Sequence, residues 1–175
     1  TLFLFFVADV LQAESASGPL LALYFVAGAA SLPLWVMLSA RRGRVFAWLL
    51  AMGVSIVAFT GASQLGSGDI WPFAAICIAS GLALGADLAL PAAIAADLGE
   101  RQGQAGACFG VWNFVAKLNL ALAAGLSLPL LGALGYVPGG SAGLPALTFA
   151  YALLPLAFKA LAGALLWRWR HSLEI

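Results

Sequence analysis

Hydrophobic positions in this chain fall in long blocks, of which GPLLALYFVAGAASLPLWVMLSA is typical. Five such blocks lie at about 18–40, 45–65, 70–97, 105–134 and 145–167. Each supplies the roughly 20 apolar residues that cross a hydrocarbon core. Backbone polar groups left unpaired in lipid are too costly, so all five are predicted to be helices. The blocks at 70–97 and 105–134 are long enough to tilt or to project past the bilayer. A shorter run, TLFLFFVADVL at 1–11, has about half the spanning length and reads as the tail of a helix whose beginning is absent. Between the blocks stand QAESAS (12–17), RRGR (41–44), GSGD (66–69), GERQG (99–103) and GYVPGGSAGLP (135–145). These are turn formers. None is long enough to separate two domains, so the pattern predicts one all-α integral membrane bundle over 1–175.

Composition agrees. Of 175 residues, 63% are hydrophobic and 9% charged, with mean hydropathy +1.03, against about 25% charged in soluble domains. A net charge of +1 creates no global field that would attract nucleic acid. The start carries no charged leader, and no signal peptide is visible. Cys77 and Cys108 lie within apolar stretches without metal or redox spacing, and read as small hydrophobes. His171, after the last span, reads as a juxtamembrane surface residue. No nucleophile–base set, metal-ligand cluster or phosphate loop is present in the sequence. The expectation is a protein that is not an enzyme and needs no cofactor or metal.

The remaining charges define a topology. Because successive spans reverse direction, Arg41, Arg42, Arg44, Arg101, Arg168 and Arg170 all fall on one side, while Asp9, Glu14 and Asp69 fall on the other, which has no Lys or Arg. The positive-inside rule makes the arginine side cytoplasmic, with the C-terminus, in an inner or plasma membrane. Trp35, Trp71, Trp167 and Trp169 lie near span ends and are expected as interfacial anchors.

Asp87, Lys117 and Lys159 lie inside spans, where charge is costly and marks pathways. Asp87 is ten residues from Asp97, about 15 Å of helix, and Lys117 is at a similar depth in the next span. A direct Asp87–Lys117 pair is one arrangement this allows. Pro91 removes the donor that would meet the Asp87 carbonyl, which suits either a midplane kink at a transport site or simple helix packing. Asn113 and Lys117 share a face with Gly106, Gly110, Ala121 and Ala124, fit for a cavity lining or a close helix contact. Asn119 faces elsewhere, as interhelical glue. Trp112 flanks that face as a sugar-stacking ring or as an anchor. Lys159 reads as a packing or snorkelling residue. Gly81 and Gly85, like Gly106 and Gly110, are small-xxx-small pairs that let helices approach.

Several stretches taken in order resemble one family: ARRGR (40–44), GLALGADLALPAAIAADLGE (81–100), FGVWNFVAKLNLALAAG (109–125) and LGALGY (131–136). They are similar to the C-terminal half of the glycoside–pentoside–hexuronide:cation symporters, the melibiose-permease-like branch of the major facilitator superfamily. The resemblance implies a C-terminal six-helix bundle with its first helix truncated, completed by an N-terminal six-helix bundle. It implies symport of a sugar-like small solute with H⁺, Na⁺ or Li⁺ by alternating access. Lys117 matches the family's lysine of the substrate and cation region. Asp97 and Glu100 match the acidic end of the preceding helix, and with Arg41, Arg42 and Arg44 would form a cytoplasmic gate. The family's cation carboxylates lie mainly in the other half. The substrate and cation pathway expected here is Asp87, Lys117, Asn113 and Trp112, with Pro91 as the helix kink. The alternatives are a non-transporting membrane scaffold, a truncated gene product or a homodimerising half-transporter.

Overall fold

A computed structural model describes residues 2–140 and 143–170, so His171 lies outside the described residues. Helix α1 (Leu2–Phe5) passes into a π-helical turn, Phe6–Val10, and a 3-10 turn at Glu14–Ala16 leads into α2 (Ser17–Arg42). Then come α3 (Arg44–Ala62), α4 (Ile70–Arg101) and α5 (Ala105–Ala133). The last span begins as α6 (Leu144–Thr148), passes through a π-helical turn at Phe149–Leu153 and finishes as α7 (Leu154–Arg168). Five of these segments are long and apolar enough to cross a membrane. The second ends at Ala62, short of the expected 65, because the chain turns at Ser63 with hydrogen bonds back to Phe59 and Gly61.

A single residue joins α2 to α3. Gly43 has φ +88°, a backbone conformation that favours glycine, which is why RRGR reverses the chain so tightly. Helix α4 is the central element, packed against α2, α3 and α5. Its closest approach is to α2. A Cβ on Gly81 would lie 2.4 Å from the Tyr24 carbonyl oxygen, and one on Gly85 would lie 2.1 Å from Ser31 Oγ. Small residues thus admit backbone contact, and polar groups reinforce it. Ser31 Oγ donates to the Leu82 carbonyl at 3.0 Å, and Trp35 Nε1 donates to the same oxygen at 2.6 Å. Trp35 is therefore buried between helices, not an interfacial anchor. Its indole N–H finds its partner on α4 rather than at the membrane surface. Trp71, Trp167 and Trp169 are exposed, and Arg170 stacks over the Trp167 ring at 3.7 Å.

Away from the arginine-bearing ends, Phe6, Val7, Leu11, Phe73 and Cys77 form a closed apolar core. Tyr151 stacks on Phe6 with ring centroids 4.4 Å apart, bringing the two π-helical turns together. Helix α5 differs from the rest. It packs mainly on α4 and is exposed along nearly its whole length. A Cβ on Gly106 or Gly110 would meet nothing within 4 Å, so this pair, unlike Gly81 and Gly85, makes no close helix contact.

Candidate intramembrane charge site and arginine cleft

Asp87 projects from the middle of α4 toward α3 and α7. Its neighbours Ala83, Ala86 and Leu90 pack with Ala47 and Ala51 of α3 and Trp35 of α2, and helical spacing puts Asp87 beside that face. Both carboxylate oxygens are engaged. Oδ1 accepts from Trp48 Nε1 of α3 at 2.9 Å, and Oδ2 accepts from Lys159 Nζ of α7 in an ion pair. An isolated charge at this depth is costly, and pairing with directed hydrogen bonds offsets that cost. The site thus joins three spans through one carboxylate.

This pairing replaces the expected partner. Lys117 is exposed on α5 and, among the described residues, makes no ion pair or hydrogen bond. The physical reason is azimuth. Asp87 turns toward α3 and α7, whereas α5 approaches α4 elsewhere. Lys159 does not snorkel to the interface, because a carboxylate meets it within the bundle. Depth alone could have found it. Lys159 is nine residues from Arg168, about 14 Å of helix, close to the roughly 15 Å between Asp87 and Asp97.

The other pathway residues stand apart from the pair. Asn113 Nδ2 donates to the Phe109 carbonyl of its own helix at 3.0 Å. Trp112 beside it is half-buried. Pro91 is buried one turn past Asp87, in an α4 that continues unbroken to Arg101.

At the arginine-bearing ends, Arg44 Nη1 donates to the Ala93 carbonyl at 2.7 Å and pairs with Asp97 Oδ2. This tie holds the start of α3 to the last turns of α4. Both side chains are more than a third exposed, so the pair contributes little stability by itself. It forms one wall of a cleft of about 580 Å³, also lined by Arg42 and Arg101. Arg41 and Glu100 are exposed and do not line it. A second, apolar groove of about 520 Å³ runs between α3 and α4, lined by residues such as Leu50, Val57 and Ile76.

At the opposite ends, Asp9 fastens the first π-helical turn to the loop after α5. Its Oδ2 accepts from the Tyr136 hydroxyl and from the Gly139 backbone N–H at 3.2 Å. Burial pushes the Tyr136 hydroxyl above its ordinary range, and the bond to and charge of Asp9 add to the rise. Asp9 lies on the arginine-free side, as its position in the sequence predicts, but its partners stand 127 and 130 residues along the chain and leave no local signal. Among the described residues, no group of three or more His, Cys, Asp or Glu side chains is placed to hold a metal ion.

Five apolar spans with a charge pair held among them define a multi-pass membrane protein. The chain matches the family described as MFS/sugar transport protein over residues 1–172, and it belongs to that family, within the major facilitator superfamily. Comparison with curated proteins and with solved structures finds no match.

Proposed function

We propose that this chain serves in a cation-coupled symporter of sugar-like solutes, of the glycoside–pentoside–hexuronide type, working by alternating access together with a further six-helix bundle. The observation that carries the reading is the Asp87–Lys159 pair with Trp48 on the second oxygen. An ionisable pair deep in a span marks a substrate or ion path, and membership of a sugar-transport family supplies the solute class.

In this reading Asp87 exchanges partners. Proton or cation occupancy weakens its hold on Lys159, and the change in pairing shifts the balance between inward- and outward-facing states. Lys117 lies on the open side of α5, with Asn113 one turn away on the same face and Trp112 flanking it, and this face turns to the second bundle and the solute path. A lone ammonium at that depth is accommodated by water or by a carboxylate, not by acyl chains. The Arg44–Asp97 tie, with Arg41, Arg42 and Glu100 nearby, acts at the cytoplasmic mouth, closing when the outer side is open.

The test is uptake of labelled sugars into proteoliposomes carrying the complete transporter, with and without H⁺ and Na⁺ gradients. Asp87→Asn is expected to abolish gradient-driven accumulation while sparing exchange of solute down its own gradient. Full accumulation in Asp87→Asn would reduce the pair to a packing device.

A further inference from the structure

The cleft between the ends of α2, α3 and α4 has an excess of positive charge that the Arg44–Asp97 tie does not account for. Three arginines, Arg42, Arg44 and Arg101, line it against one carboxylate, Asp97. The Arg44 guanidinium is fixed, held at one nitrogen by Asp97 and the Ala93 carbonyl. Arg42 is exposed on the last turn of α2 and shares the wall with the Gly43 turn. Ser39 adds a hydroxyl, and Ile94, Leu98 and Val45 form an apolar floor. The three arginines stand at span ends, where α2 finishes at Arg42, α3 begins at Arg44 and α4 finishes at Arg101. Basic pockets between span ends suit phosphate groups, and arginine forks match phosphate oxygens in pairs.

We propose that this cleft binds a phosphate group, with Arg42 and Arg101 as its ligands and Arg44 as a fixed positive wall. The proposal is independent of the solute and of cation coupling. A phosphate can come from an anionic phospholipid headgroup or from free phosphate, and the two sources are separable by titration.

The experiment titrates the purified protein in neutral detergent with dihexanoyl-phosphatidylglycerol, dihexanoyl-phosphatidylcholine and inorganic phosphate, reading binding by thermal shift and native mass spectrometry. Saturable binding of the phosphatidylglycerol without phosphate binding assigns the site to lipid. Binding of inorganic phosphate with equal affinity assigns it to the free anion. Each surface arginine contributes enough that Arg42→Gln is expected to weaken binding about fivefold, and Arg42→Gln with Arg101→Gln about thirtyfold. Arg42→Lys, which keeps the charge but loses the fork, should bind with an affinity between wild type and Arg42→Gln. Arg41→Gln removes the same charge from a residue that does not line the cleft, so it should weaken binding clearly less than Arg42→Gln. The proposal is overturned if neither ligand binds, if phosphatidylcholine binds as well as phosphatidylglycerol, or if Arg41→Gln weakens binding as much as Arg42→Gln.

Discussion

Asp87 and Lys159 neutralise one another across α4 and α7, and Trp48 of α3 occupies the carboxylate oxygen that Lys159 leaves. Removing one member of such a pair strands the other charge. Asp87→Ala and Lys159→Ala are each expected to destabilise the protein by about 3–5 kcal/mol. The double variant should be closer to wild type than the sum of the two. Chemical unfolding followed by circular dichroism, in one detergent for all variants, measures this.

Trp48→Phe keeps an aromatic ring and deletes the indole N–H together with the fused five-membered ring. A hydrogen bond to a charged group is worth about 1.5–3 kcal/mol, so a loss in that range is expected from the same unfolding assay. A loss below about 0.5 kcal/mol would mean that water replaces the bond.

The two small-residue pairs give a direct contrast. Gly85→Ala places a Cβ 2.1 Å from Ser31 Oγ and 2.7 Å from the Gly28 carbonyl oxygen, and α2 must move away from α4. A cost of about 1–3 kcal/mol is expected. Gly110→Ala meets open space and should lie within about 0.5 kcal/mol of wild type or above it, as alanine favours helix. Thermal unfolding of the two variants side by side reads the difference.

Much of this architecture is written in the apolar blocks. The spans follow from block length to within a few residues, whereas residue size offered Gly81–Gly85 and Gly106–Gly110 alike and only the first pair makes a close contact. Trp35 shows where such reading stops, because its position near a span end says nothing about a carbonyl on another helix. The same holds for the charge site. Depth is legible from the 1.5 Å helical rise; it set Asp87 and Lys117 in one layer, and the same count from Arg168 puts Lys159 there too. Azimuth is set by how α3, α4 and α7 pack, which no local pattern encodes. That information separates Lys159, which meets Asp87, from Lys117, which stands on the open face of α5.

Tyr136 gives a pH prediction. Its hydroxyl titrates above the ordinary value of about 10, owing first to burial and then to Asp9. A raised folded-state value means that the bond's stabilisation is fully present below about pH 10 and is lost as pH rises through the folded value. At pH 10.5 an unperturbed tyrosine would be about three-quarters ionised. Wild type and Tyr136→Phe should therefore show equal tyrosinate absorbance at that pH, and an excess of most of one tyrosinate in wild type would contradict the Asp9 contact.

The most direct test is a pair of double-mutant cycles on stability, Asp87→Asn with Lys159→Gln and Asp87→Asn with Lys117→Gln. Residues in contact couple, whereas distant ones add within about 0.5 kcal/mol. A coupling above about 1 kcal/mol with Lys159 and near zero with Lys117 is the predicted result. Coupling to Lys117 with none to Lys159 would contradict the assignment of the pair.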